Sequence, residues 1–373
     1  MNFYHRDIDW VFTPDVDLDL CINRTIKACQ NLQTQLMIAQ IYWEPYQVTP
    51  DLNAKTRYVV EQLNSAGIQV IGLMHNSYGD LESMPWLDLV RVDWSLWKTW
   101  HKIISNPVCG QNLQWNRSAK KFLFLTGKPY RRNRLRLLWK LINAGLEHSM
   151  IWSLFCVDSD FKHTLDMLPE LSEDEVRKFI NDYSRNPDNI ELVIRNTDSM
   201  NAHYGGFPYD PALFANTLFR VISETSFRHS NEMPMVGQYP TEKFYTTVFN
   251  HQPWIAAADP GLVAHLEAQG FDGFSWAIST PYDHIANMEE RMNAIVDCAQ
   301  NWIKSGLPDP DKVQKGVEHN AWLAQSLAQN QHARLSALNQ KYNLGFEDLT
   351  DLFSIDDKEE YDKKFHGFPA GSI

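Results

Sequence analysis

Short apolar segments that alternate with amphipathic helices are the feature of this sequence that most restricts its fold. Residues 36–43 and 68–74 are rich in aliphatic side chains and are flanked by polar turns, which predicts two buried strands. Between them, residues 52–67 have helical spacing and end at a glycine, which commonly terminates a helix. A strand, a helix and a strand in succession predict a parallel βαβ unit with a right-handed crossover.

A second α/β region is predicted to start near residue 115, where polar residues precede the next apolar segment. Its predicted strands are 121–127, 219–227, 253–258 and 274–278, and its predicted helices are 132–145, 242–250 and 261–270. We interpret the acidic, polar residues 157–190 as an insertion of peripheral helices. From residue 282 onward the sequence is mostly helical. The sequence therefore predicts an α/β protein with domains 1–115 and 116–300, followed by a helical C-terminal extension and tail, 301–373.

Composition excludes several classes of protein. The 373 residues include 46 acidic and 34 basic side chains, and the resulting formal charge of -12 disfavours a nucleic-acid partner bound through its phosphate backbone. No apolar stretch is long enough for a membrane helix, and the first ten residues lack the order of charges and apolar residues found in a secretory signal. The five dispersed cysteines fit a reducing compartment. We therefore expect a cytoplasmic protein without a membrane span.

Basic residues are concentrated where the predicted strand 121–127 turns into a helix. In LTGKPYRRNR, Lys128, Arg131 and Arg134 lie beside the backbone N–H groups of a helix amino terminus, an arrangement that suits a diphosphate. The segment contains neither the GxxxxGK[ST] nor the GxGxxG motif. An exposed basic helix start is the alternative interpretation.

A second group of polar residues follows the predicted strand 219–227. Glu224 lies at the strand end, Thr241 is placed to cap the next helix, and Glu242 opposes the helix dipole. Lys243 is harder to explain structurally, because a cation in the first turn is unfavourable unless an anion is near. Hydrogen-bond acceptors for ribose hydroxyls beside a cation for phosphate are what a nucleoside diphosphate sugar requires.

These segments together resemble a known family. VISETSF, TEKFYTTVFNHQPWIAAADPGLVAHLEAQGFDGFSWAI, YDHI and the arginine of MEERMNAI resemble, in this order, the C-terminal nucleotide-binding half of GT-B-type glycosyltransferases. The TEK motif is similar to that of α1,3-fucosyltransferases, and the remaining pattern, with FLFLTGKPYRRNRLRLL upstream, resembles exostosin-like enzymes of phages and bacteria. The resemblance covers roughly residues 120–297. Trp254 stands where phenylalanine is usual, and the insertion at 157–190 has no counterpart.

The resemblance implies a fold and an activity. The fold is GT-B-like, with two Rossmann-like domains that face a cleft: 1–115 on the acceptor side and 116–300 on the nucleotide-sugar side. The activity is that of a hexosyl- or pentosyltransferase, which moves a sugar from a nucleotide-diphosphate sugar to a hydroxyl of a glycan or small molecule, with no metal and no further cofactor. By the same resemblance, Glu242 contacts the ribose, Lys243 and Arg134 contact the diphosphate, and Glu224 lies at the edge of the pocket.

An inverting transfer also needs a base on the acceptor side, and three residues at strand ends are candidates. Glu44 follows the predicted strand 36–43, and His75 and Asp80 follow the strand 68–74. Two of them also have a structural interpretation: Glu44 as a capping or pairing residue and His75 as a hydrogen-bonded turn residue. A cluster of tryptophans, Trp94, Trp97 and Trp100, has helical spacing, which indicates a core face or a stacking platform for a sugar or base.

Other interpretations stay open at this point. The pair Asp158 and Asp160, and the acidic run PDVDLD, match the DxD pattern with which glycosyltransferases of the other major fold hold Mn²⁺ or Mg²⁺. The acceptor is a hydroxymethylated base of phage DNA in a second hypothesis, which places the protein in the host cytoplasm. A third hypothesis is a nucleotide- or glycan-binding module without catalytic activity.

Overall fold

The computed structural model describes residues 4–7, 16–41, 50–75, 87–105, 115–126, 132–154, 168–184, 211–224, 227, 240–279, 281–346 and 349. The chain divides into two compact units: Met1–Trp97 with Gln329–Ile373, and Lys98–Ala328. Each unit contains a sheet of four described strands, all parallel. The predicted α/β class with parallel sheets is therefore confirmed. The domain boundaries after residues 115 and 300 stay predictions.

The first unit is built on a sheet whose strands follow one another in chain order. Its strands are β1 (Tyr4–Asp7), β2 (Leu36–Ile41), β3 (Gln69–His75) and β4 (Asp88–Val92), and its helices are α1 (Leu18–Asn31), α2 (Pro50–Ser65) and the start of α3 (Trp94–Ser105). Met37, Ile38 and Ala39 of β2 are fully buried, as expected for an inner parallel strand covered on both faces. The predicted β2, α2 and β3 are confirmed, and Gly67, with φ of 80°, ends the turn after α2.

Three elements of this unit were not predicted. β1 and β4 are the outer strands of the described sheet, and their sequences, YHRD and DLVRV, carry charges that an inner strand would exclude. α1 has only a narrow buried stripe, formed by Ile22, Thr25 and Cys29.

Trp97 and Trp100 of α3 are buried, which confirms the core interpretation for these two residues.

The second unit has a sheet with a different strand order. β5 (Phe122–Thr126), β6 (Met150–Leu154), β7 (Arg220–Ser223) and β8 (Trp254–Ala257) are arranged as β6-β5-β7-β8. Its helices are α4 (Arg132–Asn143), α5 (Glu173–Ser184), α6 (Pro211–Ala215), α7 (Glu242–Phe249), α8 (Leu262–Ala268), α9 (Met288–Ser305) and α10 (Pro310–Tyr342), and a 3₁₀ turn spans Glu147–Ser149. α10 continues past Ala328, the last residue of this unit.

The helices of the second unit cover both faces of its sheet. Phe219, just before β7, stacks edge-on against Trp302 of α9, with ring centroids 5.0 Å apart. The next residue, Arg220, donates to Thr247 Oγ1 of α7 at 3.0 Å. Because successive strand residues point to opposite faces, α7 covers one face of β7 and α9 covers the other. Lys140 of α4 donates to Asn293 Oδ1 of α9 at 2.8 Å, which places α4 with α9.

The predicted elements of the second unit are largely confirmed, with one error. Residues 274–278 were predicted to be a strand, but Ser275–Ala277 form a 3₁₀ turn. Asp272 causes the difference: its Oδ1 accepts the N–H of Phe274 at 2.8 Å, which turns the backbone, and Phe274 adopts φ of 55°. Among the described residues, no helix is long and apolar enough to cross a membrane.

The contact between α10 and this turn depends on a glycine. A Cβ added to Gly316 would lie 2.6 Å from Asp272 Oδ2 and 2.9 Å from Phe274 Cε1. Asn320, one turn later, fixes the approach by accepting from Asp272 N–H at 2.6 Å and donating to Asp272 O at 2.9 Å. A glycine inside a long helix lowers the stability of the helix. The close packing of α10 on Asp272 and Phe274 explains why a glycine is present here.

We expect Gly316→Ala to destabilise the protein by about 1–3 kcal/mol, because the added methyl group meets a held carboxylate and an aromatic ring. In an uncrowded helix the same change would stabilise by about 1 kcal/mol, so the sign of the effect tests the packing. Urea denaturation measures it, with Lys315→Ala at the neighbouring exposed position as control. A G316A variant more stable than the wild type would contradict this account of the contact.

Candidate functional site

The strand order of the second unit reverses between β5 and β7, and we name the carboxyl ends of these two strands the β5–β7 crevice. The chain passes from β5 to its neighbour β6 on one side, and then returns to β7 on the other side of β5. In open parallel sheets, ligands bind at the carboxyl ends of the two strands where the order reverses, because the two connections leave toward opposite faces. The described strands of the first unit follow in chain order and have no such reversal.

Glu224 follows β7 directly and lies at this crevice. It is 2% exposed, and its carboxylate accepts from Thr241 twice, from the backbone N–H at 3.1 Å and from the hydroxyl at 2.5 Å. Its own N–H donates to Ala257 O at the end of β8, which holds the residue in the plane of the sheet. Burial raises the pKa of Glu224, although the charge of Lys243 and the hydrogen bonds from Thr241 oppose this shift.

Thr241 caps α7 as predicted and organises the residues around it. Its side chain accepts the N–H of Lys243 at 3.4 Å and the ammonium of Lys243 at 3.0 Å, while its hydroxyl proton goes to Glu224. Lys243 Nζ also contacts Glu242 Oε1 at 2.8 Å. The anion that the position of Lys243 requires is therefore supplied, in the ligand-free protein, by neighbouring carboxylates.

Glu242 is the most accessible group of the site, with a side chain that is 33% exposed. Burial acts to raise its pKa. The charge and hydrogen bond of Lys243, its own backbone N–H and the charge of Arg134 outweigh burial and hold that pKa below its usual value. The carboxylate is therefore ionised at neutral pH and can accept hydrogen bonds.

Arg134 and Asn133 lie on the β5 side of the same crevice. Both lie in the first turn of α4, which follows β5, and both are buried. Asn133 Nδ2 donates to Glu224 O at 3.3 Å, and the charge of Arg134 acts on Glu242. The structure therefore brings together five predicted residues from two segments far apart in sequence: Arg134, Glu224, Thr241, Glu242 and Lys243.

Arg220 is a member of this charged group that the sequence analysis missed. It is 1% exposed, and its guanidinium donates to Lys243 O at 3.2 Å and to Thr247 Oγ1. Burial lowers its pKa to about 10, while the charges of Glu224 and Glu242 oppose this shift. The sequence feature that could have identified Arg220 is a basic residue inside the apolar segment FRVIS, because a buried charge without partners is costly.

The remaining predicted site residues are not brought to this crevice by the described structure. Lys128, Arg131, Glu44 and Asp80 lie outside the described residues, and His75 is the last residue of β3, with only its backbone described. Their roles stay predictions.

Two other cations of the basic segment have structural partners. Arg136 forms an ion pair with Glu170 at 2.9 Å and another with Glu289, and Lys140 pairs with Glu289 at 3.1 Å. These contacts join α4 to α9 and to the segment before α5. This part of the basic segment therefore serves packing.

The motif residues after β8 also stabilise the fold. Tyr282 Oη accepts the N–H of Ala256, at the outer edge of β8, at 2.8 Å. Asp283 accepts the N–H groups of Val263 and Ala264 at 3.0 Å each, and so caps α8. Arg291 donates to the carbonyl of Ile285 at 2.6 Å.

Of the acidic residues that match a metal-binding motif, some lie outside the described residues and the others make structural contacts. Asp15, Asp158 and Asp160 lie outside the described residues. Asp17 caps α1 by accepting from Leu20 N–H at 2.9 Å, and Asp19 accepts from Tyr58 Oη at 2.6 Å. Within the described part of the chain, no three His, Cys, Asp or Glu side chains are grouped so that they could hold a metal ion.

We expect Thr241→Ala to lower the free energy of unfolding by about 2 kcal/mol, because it removes a helix cap and a hydroxyl bonded to a buried carboxylate. Thr241→Ser keeps both contacts and should lose no more than about 1 kcal/mol, for the missing methyl group. Urea denaturation of the two variants at neutral pH separates these effects. Equal losses would show that the methyl group, and not the hydroxyl, stabilises this turn.

No family model, no curated protein and no solved structure matches the chain. A functional conclusion therefore depends on the chemistry of the charged and polar groups at the β5–β7 crevice.

Proposed function

We propose that the chain is a glycosyltransferase that uses a nucleoside diphosphate sugar, with its donor site at the crevice between β5 and β7. The observation that carries the proposal is the convergence of Glu242, Lys243 and Arg134 where the strand order reverses. The GT-B arrangement is part of the proposal: the second unit binds the donor, and the first unit binds a carbohydrate or small-molecule acceptor.

The charges of the site suit two parts of such a donor, its ribose and its diphosphate. An ionised, partly exposed carboxylate at Glu242 can accept hydrogen bonds from two ribose hydroxyls. Lys243 contacts this carboxylate, the charge of Arg134 also acts on it, and both cations can bind the diphosphate. In the ligand-free protein, Lys243 and Glu242 neutralise each other, so the donor exchanges one internal ion pair for two contacts of its own.

The same cations supply the chemistry that sugar transfer needs. As the bond between the sugar and the diphosphate breaks, negative charge grows on the departing phosphate oxygen, and fixed cations stabilise that charge. Arg134 is 3% exposed and Lys243 is 4% exposed, so water screens their fields little. This arrangement favours stabilisation of the leaving group by side chains, without a metal ion.

Donor binding is tested by calorimetry with UDP, GDP, ADP, CDP and dTDP in the presence of EDTA. We expect one of them to bind with a Kd below about 0.1 mM. Arg134→Lys keeps the charge but loses the planar pair of donors, so it should raise that Kd about tenfold. The matched control is Arg117→Lys, since Arg117 is an exposed residue of the same unit that pairs with Asp311.

Three outcomes would count against the donor site. Failure of all five nucleotides to bind would remove it. Binding only after Mn²⁺ or Mg²⁺ is added would favour the metal motif at Asp158 and Asp160. Equal effects of R134K and R117K would place the diphosphate elsewhere.

Catalysis is tested separately from binding, through the acceptor-side base. In this proposal Glu44, His75 or Asp80 removes the proton of the acceptor hydroxyl. We expect Glu44→Gln to keep the donor affinity while the rate of transfer falls roughly 10²- to 10⁴-fold. His75→Gln and Asp80→Asn are the parallel variants, and release of nucleotide in the presence of an acceptor panel is the measurement.

The acceptor panel also separates the alternatives. It contains glycans, small-molecule alcohols and DNA with hydroxymethylated cytosine, and the net charge of -12 leads us to expect no activity on the DNA. A wild-type protein that binds a nucleoside diphosphate but transfers sugar to no acceptor would support a binding module. Full activity of all three variants would exclude these residues as the base.

A further inference from the structure

Ser223 has a buried hydroxyl at the crevice. It is the last residue of β7, precedes Glu224 and is 1% exposed. Its Oγ has no hydrogen-bond partner among the described residues. A buried hydroxyl without a partner lowers stability, and most native hydroxyls avoid this state. Such a group at the end of a central strand indicates a contact that a ligand completes.

The alternation of β7 gives the face on which Ser223 lies. Arg220 and Glu224 bond to α7 and so define one face of the strand. Phe219 and Ser223 lie on the other face, and Phe219 packs against Trp302 of α9. Since α4 lies with α9 on this face, Ser223 is on the α4 side of the crevice, opposite Glu224.

The amino terminus of α4 is the element that lies next to the end of β7 on this side. Asn133, in its first turn, donates to Glu224 O, one residue from Ser223. α4 has twelve residues and no acidic residue in its first turn, and Arg134 adds a positive charge there. The N–H groups of such a turn favour an anion, and the hydroxyl of Ser223, the residue before the carbonyl that Asn133 contacts, is a further donor on this side of the strand.

We propose that Ser223 Oγ and the first turn of α4 form a phosphate-binding subsite, which takes one phosphate of the donor's diphosphate. The inference rests on the proposed function and adds the place of the phosphate group: the α4 side of the crevice, with the ribose at Glu242 on the α7 side. The hydroxyl donates to a phosphate oxygen and thereby gains the partner that the described residues do not supply.

Ser223→Ala tests this subsite through two measurements with opposite expectations. Because the hydroxyl has no hydrogen-bond partner within the described part of the chain, the variant should melt at the same temperature as the wild type or higher. Its affinity for the nucleoside diphosphate that binds the wild type, and for inorganic pyrophosphate, should fall about tenfold or more, since a charge-assisted hydrogen bond is lost. Its affinity for the corresponding nucleoside should not change. Ser153→Ala, the same change at a buried serine of β6, is the control for ligand affinity.

The outcomes separate this inference from the proposed function. If the wild type binds no nucleoside diphosphate, the proposed function fails, and the subsite fails with it. If the wild type binds but S223A binds equally well, only the subsite is wrong. A lower melting temperature with unchanged pyrophosphate affinity would show that the hydroxyl is structural. A loss of nucleoside affinity equal to that of the diphosphate would contradict the assignment to phosphate.

Discussion

Charge buried at both ends of β7, Arg220 at its first residue and Glu224 just after its last, is the constraint on which the second unit depends. Arg220 and Glu224 are almost fully buried, and moving an ion out of water costs several kcal/mol unless other groups replace the water. The first turn of α7 does this, because Thr241 donates to Glu224 and the carbonyl of Lys243 accepts from Arg220. The position of α7 on the sheet is therefore fixed by polar contacts at its start as well as by apolar packing along its length.

Stability alone does not explain such a group of ions. A buried ion pair can often be replaced by apolar side chains of similar volume at no loss of stability. Among the described residues, three cations, Arg134, Arg220 and Lys243, are held near two carboxylates in the part of the second unit where the order of its described strands reverses. Such a surplus of positive charge is suited to an anionic ligand. Because the side chains are already restricted, little conformational entropy remains to be lost on binding.

The sequence predicted those parts of the structure that depend on local pattern. Inner strands such as β2 and β3 have apolar runs, and Thr241 is a residue type that commonly caps helices. Features that depend on distant partners were missed. Arg220 is buried only because α7 brings acceptors to it, and the strand predicted at 274–278 is replaced by a turn that Asp272 stabilises. The outer strand β1 has too few apolar residues to be distinguished from a loop.

The first unit is assembled from two separated segments, Met1–Trp97 and Gln329–Ile373, whereas the second unit is one continuous segment. During synthesis the second unit can therefore fold as soon as it has left the ribosome. The first unit must wait for its C-terminal segment, which at ordinary rates of translation is delayed by roughly 10–50 s. For that time the apolar strands β2 and β3 depend on helices from the N-terminal segment alone, so newly made chains should need chaperones more at the amino-terminal sheet than at the sheet of the second unit.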